Sequence, residues 1–368
     1  MTLKAAILAD DLTGALDTGT PFVQNGLTVA VAVTGESLEK ALAANPDVLV
    51  VNTASRALSP QEASERVAAI ANRLKAIAPD LVMKKIDSRL KGNVAAETLA
   101  LADGLGRHRI VVCPAIPDQQ RLTRNGHVIG RGVDQPISIA ALFGQSSVTV
   151  CDADTDADLD NIANTHDWQN GQAVGARGFG LALARRIGNG SSGSAQASSL
   201  TLTDRTLFAF GSRDPITVSQ MHRLDRHDRL AVLADAPHGQ LGDLDAPLRL
   251  PALLRCTGDI REDGKMVAER FAEGVRKVVA TSDIEMLMIG GGDTALAVLT
   301  ALGIDVLFPM GEVEPGIPWF KVTLHDGKRL RCAVKSGGFG TADSLVAVLP
   351  AKPDQKSTDS KETSIGRS

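Results

Sequence analysis

Short apolar runs alternate along this chain with segments whose apolar residues recur every three or four positions. The runs "AAILA" (5–9), "VAVAV" (29–33), "VLVV" (48–51), "LVM" (81–83) and "IVVC" (110–113) read as buried strands. Between the third and fourth, Ala63, Val67, Ile70, Leu74 and Ile77 share one helical face, with Ser59 as the N-cap and Pro60 at the first helical position. Such strand–helix–strand alternation predicts a parallel sheet with helices on both faces. From 188 to 204 the pattern lapses into a Gly/Ser-rich stretch, predicted to be an exposed linker. A second alternation follows, with "TLFAF" (206–210), "LAVLAD" (230–235), "MLMIGGG" (286–292) and "LRCAVKSGGFG" (330–340). Residues 351–368 are polar and predicted to be disordered. The expected fold class is α/β: two α/β/α domains, the first (1–187) built on a largely parallel open sheet, the second spanning 205–350. The length of 368 residues also favours two cores over one.

Composition narrows the function classes. The chain is 43% hydrophobic and 22% charged, the profile of a soluble globular protein. A formal net charge of −4 provides no global basic field for nucleic acid or anionic membrane. Aromatic residues make up only 3%, without a single tyrosine, which argues against base-stacking platforms. Cys113, Cys151, Cys256 and Cys332 are far apart and form no CxxC pair, so reduced thiols are expected rather than a zinc site or disulfides. The first apolar stretch meets Asp10 and Asp11 too early for a signal peptide, and no run approaches the ~20 apolar residues of a membrane span. A cytoplasmic protein is expected, with no nucleic-acid or membrane partner; a homo-oligomer stays open.

The residues after each strand carry the chemistry. Ligands of open parallel sheets bind beyond the carboxyl ends of the strands. There the chain places Asp10-Asp11, Asn52-Thr53, the stretch "KKIDSRLKGN" (84–93) and Pro114. Four cations around one carboxylate suit a pocket for an anion, with Lys85, Arg89 and Lys91 as candidates for a carboxylate or a phosphate; a solvated helix-entry face is the alternative. In the second half, "IGGGDTALAVLTALG" runs from a strand through glycines into a helix, which suits a phosphate on free backbone amides. "KSGGFG" (335–340) and "FGSRDP" (210–215) are similar turns. Neither G-x-G-x-x-G nor G-x-x-x-x-G-K-[ST] occurs, which speaks against a standard nicotinamide or Walker site.

Six segments in this order, "ILADDLTGALDTG" (7–19), "KKIDSRLKGNVAAE" (84–97), "PAIPDQQRLTRNGHV" (114–128), "IGGGDTALAV" (289–298), "EPGIPWF" (314–320) and "KSGGFG", resemble the four-carbon acid sugar kinases. The resemblance implies an ATP-dependent enzyme, using Mg²⁺, that phosphorylates a terminal hydroxyl of threonate, erythronate or a 3-oxo-tetronate. It implies an acid-sugar-binding first domain and a nucleotide-binding second one. Carried over by position, Asp10, Asp11, Lys85, Asp87, Ser88, Asn93, Asn125 and His127 would line the sugar side. Ser212, Gly291, Gly292, Asp293, Thr294 and Gly337 would line the nucleotide side. The family usually reads Ser-Thr-Leu-Arg-Gly-Asn where this chain has Ser88-Arg89-Leu90-Lys91-Gly92-Asn93, and Gly-Glu-Thr-Ser where it has Gly292-Asp293-Thr294-Ala295. Arg89 therefore points to a kinase for another small hydroxy acid as one rival reading, and the altered glycine turns to a non-catalytic sugar-acid sensor as another.

Phosphoryl transfer needs cations for the substrate carboxylate, backbone amides and Mg²⁺ for the phosphates, and a base for the attacking hydroxyl. Asp10 or Asp11 is the expected base, with a helix cap as the alternative for Asp11. Asp17 is a contact for Mg²⁺ or sugar, or an exposed helix carboxylate. Asp293 either caps its helix or reaches the nucleotide, and the metal ligands stay unassigned.

Overall fold

A computed structural model describes residues 3–188, 200–244, 246–259 and 263–351, so most of the expected linker and tail lie outside the described residues. The first-half strands are β1 (Ala5–Ala9), β2 (Val29–Ala32), β3 (Val48–Asn52), β4 (Leu81–Lys85), β5 (Arg109–Cys113), β6 (Arg121–Arg124), β7 (His127–Gly130), β8 (Ile137–Ser138), β9 (Thr149–Val150) and β10 (Gly171–Gly175). The five expected runs become β1 to β5. Seven strands pair in parallel in the order β2-β3-β1-β4-β10-β5-β9, while β6, β7 and β8 form a small antiparallel sheet of their own.

The helices are α1 (Leu12–Gln24), α2 (Leu38–Ala43), α3 (Pro60–Ile77), α4 (Val94–Leu105), α5 (Ile139–Phe143), α6 (Asp156–Thr165) and α7 (Arg177–Ile187). Strand residues alternate between two cores, as the pleat requires. Ile7, Val31 and Val50 pack with Leu16, Phe22 and Phe179 of α1 and α7, and Leu8, Ala30 and Val51 with Val67, Leu74 and Leu101 of α3 and α4. The helix read from the 59–77 pattern is α3, begun by a capping box between Ser59 and Glu62.

The second half contains β11 (Thr206–Phe210), β12 (Val232–Pro237), β13 (Ala252–Thr257), β14 (Met286–Gly290), β15 (Val306–Leu307), β16 (Pro309–Glu312), β17 (Pro318–Thr323) and β18 (Arg329–Lys335). Its helices are α8 (Pro215–Arg226), α9 (Gly264–Thr281) and α10 (Gly292–Ala301). The sheet order is β12-β13-β11-β14-β18-β17-β16, parallel up to β18 and antiparallel beyond it. β15 leaves this sheet and pairs antiparallel with β2 at the edge of the first. The Val33 amide donates to the Asp305 carbonyl at 2.9 Å, and Asp305 pairs with Lys40, so the second half is stitched directly onto the first. No helix among the described residues is long and apolar enough to cross a membrane.

The two lysines that end β4 point to opposite sides. Lys84 turns inward, where its Nζ lies 2.8 Å from Glu97 Oε2 with both side chains 1% exposed. Glu97 Oε1 also accepts a hydrogen bond from Ser55 Oγ at 2.8 Å. Breaking a buried pair strands a charge. Glu97→Gln should therefore cost about 3–5 kcal/mol in urea unfolding, whereas Lys84→Met combined with Glu97→Leu should recover most of that loss. An unchanged urea midpoint for Glu97→Gln would contradict the assignment.

Candidate active site

In each sheet the first strand of the domain lies between neighbours reached in opposite directions: β1 between β3 and β4, and β11 between β13 and β14. Such reversals open a crevice at the carboxyl ends of the strands. Here the two crevices face each other and merge into one cavity of about 1590 Å³. That exceeds the ~300–1,000 Å³ of a typical small-ligand pocket, leaving room for two ligands side by side.

The first wall starts at β1. Asp10 is buried, and both its oxygens accept from Arg56, Oδ2 from Nε and Oδ1 from Nη2, each at 2.8 Å. Burial alone would raise the Asp10 pKa, but Lys84, Arg56 and Lys85 outweigh it and hold the carboxyl below its ordinary value. Asp11 caps α1 by accepting from the Gly14 amide at 2.7 Å, and its other oxygen accepts from Thr13 Oγ1 and Arg56 Nη1. Arg56, from the turn after β3, thus clamps both aspartates.

Lys85 faces the cavity with its Nζ 4.0 Å from Asp17 Oδ1. A Cβ at position 14 would lie 2.9 Å from that ammonium, so glycine is what lets Lys85 reach across α1. Asp17 sits one turn below Thr13 on the same helix face and is buried, not exposed. Burial raises its carboxyl pKa, and the opposing Lys85 charge and Thr18 hydrogen bond do not cancel the rise. Arg177, at the start of α7, is 4% exposed and bridges Asp118 (3.1 Å) to Glu312 (3.3 Å) of the second half.

The second wall is made of glycine. Gly291 precedes α10 at φ +105°, a left-handed conformation that favours glycine. A Cβ at Gly292 would lie 3.5 Å from Thr13 Oγ1 and 3.8 Å from Asp11 Oδ2. The N-termini of α1 and α10 therefore meet across the cavity, both presenting positive dipole ends. A Cβ at Gly337 would come within 2.7 Å of Asp214 and 2.8 Å of Ser212 Oγ, which ties that turn to the one after β11. Beneath it Lys335 donates to Thr217 Oγ1 (2.9 Å), and burial pushes its ammonium down to about 8. Val267, Ala268 and Ala272 of α9 and Leu296, Ala297 and Ala301 of α10 line an apolar slot leading away from the glycines.

Of the residues read from the sequence, Asp10, Asp11, Lys85, Asp87, Ser88 and Arg89 line one wall, and Ser212, Gly291, Gly292, Asp293, Thr294 and Gly337 the other. Four are not among the lining residues. Lys91 is exposed, and Asn93 donates to the Ser55 and Leu58 carbonyls at 3.1 and 2.9 Å, fastening neighbouring loops. Asn125 adopts φ +50° in the β6–β7 turn, and His127 Nδ1 contacts its carbonyl at 2.7 Å. Asp293 lies in the first turn of α10 while Gly291 occupies the cap. Asp214 caps α8 by accepting from the Ile216 amide at 2.9 Å, and Arg213 donates to the Thr257 carbonyl. Sequence reasoning missed Arg56, Arg131 and Arg177. Arg177 and Arg131 lie just beyond the ends of β10 and β7, a position that was available as a signal.

The residues fit a nucleotide: an apolar slot for a base, then unhindered amides at a helix N-terminus for phosphates. Among the described residues no group of three or more His, Cys, Asp or Glu is placed to hold a metal ion. Mg²⁺ bound mainly through phosphates needs only one or two carboxylates, and Asp11 faces the glycine turn.

Known proteins show the same two-part plan. A model of a sugar-binding N-terminal domain matches residues 5–141, and a model of a nucleotide-binding C-terminal domain matches 207–345. The chain is 29% identical to a D-threonate kinase of Bordetella bronchiseptica, across 96% of this chain and 98% of that protein. It is 27% identical to a 3-oxo-tetronate kinase of Brucella melitensis, across 92% and 93%. A D-erythronate kinase of Heliobacterium modesticaldum shares 38% identity over 34% of this chain and 29% of its own length. A solved structure from Salmonella typhimurium LT2 shares the fold at a TM-score of 0.72, with 19% identity over 94% of this chain and 98% of that one. With both domain models matched in order, and the motifs of each on facing walls of one cavity, the chain belongs to the four-carbon acid sugar kinase family.

Proposed function

We propose that this protein transfers the γ-phosphoryl group of ATP to a terminal hydroxyl of a small sugar acid of the tetronate type. The observation that carries the reading is the approach of Gly292 to Asp11 and Thr13. It sets phosphate-binding amides within one van der Waals layer of the acidic and cationic wall. The names of the full-length relatives support the same chemistry.

The roles follow from position. The amides of Gly291 to Thr294 and the turn at Gly337 receive phosphate oxygens, with the base in the slot between α9 and α10. Mg²⁺ would offset the phosphate charge, bound mainly through the phosphate oxygens. Lys85, beside Asp17 and the N-terminal turn of α1, would stabilise charge on the transferred group. A new bond forms between the substrate hydroxyl oxygen and the γ-phosphorus as the bond to the β–γ bridging oxygen breaks, and the hydroxyl proton passes to a carboxylate.

Asp17 suits that last task better than Asp10. Both Asp10 oxygens are occupied by Arg56 and its pKa is lowered, whereas Asp17 holds a raised pKa beside Lys85. A base works best when its pKa approaches the working pH.

Two outcomes test this reading. Purified protein with ATP and Mg²⁺ should release ADP on addition of threonate, erythronate or a 3-oxo-tetronate. Acid binding by calorimetry with no ADP release from any of them would favour the sensor instead.

Asp17→Asn should lower kcat by at least about 100-fold, the usual share of a general base. The wild-type acid limb of kcat/KM should lie above the ordinary aspartate value of 3.8, since activity fails as pH falls through a raised pKa. Because the folded protein holds the Asp17 proton more tightly than the unfolded chain, ionised Asp17 costs stability above that raised pKa. Asp17→Asn should therefore be at least as stable as wild type at neutral pH. A limb below 3.8, or a melting temperature that drops, would return the role to Asp10 or Asp11.

A further inference from the structure

The cavity lining also includes Ser88, Arg89, Arg121 and Arg131, apart from the glycine turns of the second wall. Arg121 is held in place: its Nη1 donates to Ser88 Oγ at 2.5 Å, and its Nε and Nη2 donate to the Arg131 carbonyl at 3.1 and 3.0 Å. A Cβ at Gly132 would touch both Arg121 Nη2 (3.5 Å) and Arg89 Nη1 (3.8 Å), so the two guanidinium groups flank a single spot. Burial depresses the Arg121 pKa, the charges of Arg89 and Arg131 add to the fall, and Asp87 opposes it.

None of the three arginines has a salt-bridge partner among the described residues. Asp87 is the nearby carboxylate and is spent on the Arg89 and Lys91 backbone amides; Asp118, the next, is taken by Arg177. Other cations of the cavity have partners of their own: Arg56 pairs with two aspartates, Lys85 with Asp17 and Arg177 with Asp118 and Glu312, while Arg66 and Arg213 donate to backbone carbonyls. Arg89 and Arg131 are exposed and Arg121 is half-buried, so water and salt screen part of their mutual repulsion, and a bound anion would remove the rest. Three guanidinium charges less the Asp87 carboxylate leave two positive charges, one more than a single carboxylate neutralises.

We propose that, among small hydroxy acids, the acceptor site favours a dianionic one over a monoanionic tetronate, anchored at one end by Arg89, Arg121 and Arg131. A paired dicarboxylate and a phosphate monoester share that chemistry: each carries two charges and more than two acceptor oxygens, which suit forked guanidinium donors. Arg89 is the residue that shifts the choice, since the family resemblance carries threonine at its position. This inference rests on the kinase reading for the location of the reacting hydroxyl, but the anchor can be measured without turnover.

Malonate and inorganic phosphate, titrated separately into the full chain at pH 7.5, distinguish the two sources of the charge, with acetate as the monoanionic control. At least one dianion should bind, and Arg89→Thr should weaken that binding by roughly 10- to 100-fold, the range for a lost charge-assisted hydrogen bond. Arg131→Ser should do the same in a protein that melts like wild type, and acetate should bind much more weakly throughout. In the ADP assay, Arg89→Thr should lower the kcat/KM ratio of dianionic to monoanionic hydroxy acids by about tenfold or more. Equal binding of acetate and both dianions, or an Arg89→Thr variant that binds all three as wild type does, overturns the anchor. Turnover of tetronates together with either result would leave the kinase reading standing without it. Dianion binding that depends on Arg89, with no ADP released from any acid, would uphold the anchor and remove the kinase.

Discussion

Successive side chains of a β-strand must point to opposite faces, and at the end of β4 that rule separates two adjacent lysines. Lys85 can face the cavity because Lys84 turns into the core, and Lys84 is tolerable there because Glu97 meets it. The register carries the effect sideways. Ala9 lies level with Asn52 on one side and with Lys85 on the other, and Lys85 is level with Gly175. The next residue on each strand, Asp10, Thr53, Ile86 and Ala176, therefore emerges at one height. Every group on the first wall inherits its position from that row.

The facing wall depends on absences of side chain rather than on charges. Gly292 admits the α10 N-terminus to within contact of Thr13, and Gly14 admits the Lys85 ammonium across α1. Two positive helix ends would repel each other if nothing lay between them. Asp11 answers part of that field by capping α1, and bound phosphate would answer the rest. In the structure β15 is already paired with β2, Arg177 already reaches Glu312, and the walls already touch, so any closing motion starts from contact.

What could be read in advance was local. β1 to β5, α3 with its capping box, and the glycine entry to α10 all follow from periodicity and turn chemistry within a dozen residues. The cationic stretch at the end of β4 reads as one cluster, but the pleat parts Lys84, turned into the core, from Lys85, turned to the cavity, and the turns that follow leave Arg89 and Lys91 exposed. β15 was illegible because two residues carry no period, and its partner lies in the other half of the chain. Arg56 and Arg177 were missed for a related reason. Their meaning is set by Asp10, Asp118 and Glu312, which are remote in sequence, and for Arg177 the one local signal is its place just beyond the end of β10. Asn125 and His127 carried the family motif yet lie in a turn whose amides are held by Asp152.

The distribution of matched and unmatched charge separates scaffold from working surface. Pairing is close for Lys84 with Glu97 in the core and for Asp10 with Arg56 at the edge of the cavity. Facing it are groups held at a cost, an aspartate with a raised pKa and three arginines without carboxylate partners. Natural proteins break the rule of charge matching mainly where a ligand completes it. Here the broken positions lie on both sides of Lys85, with Asp17 beside it and the arginines beyond. On the roles proposed for them, a substrate that satisfies both would have to reach from Asp17 to the arginines, so the same arrangement that selects the acceptor's charge would also select its length.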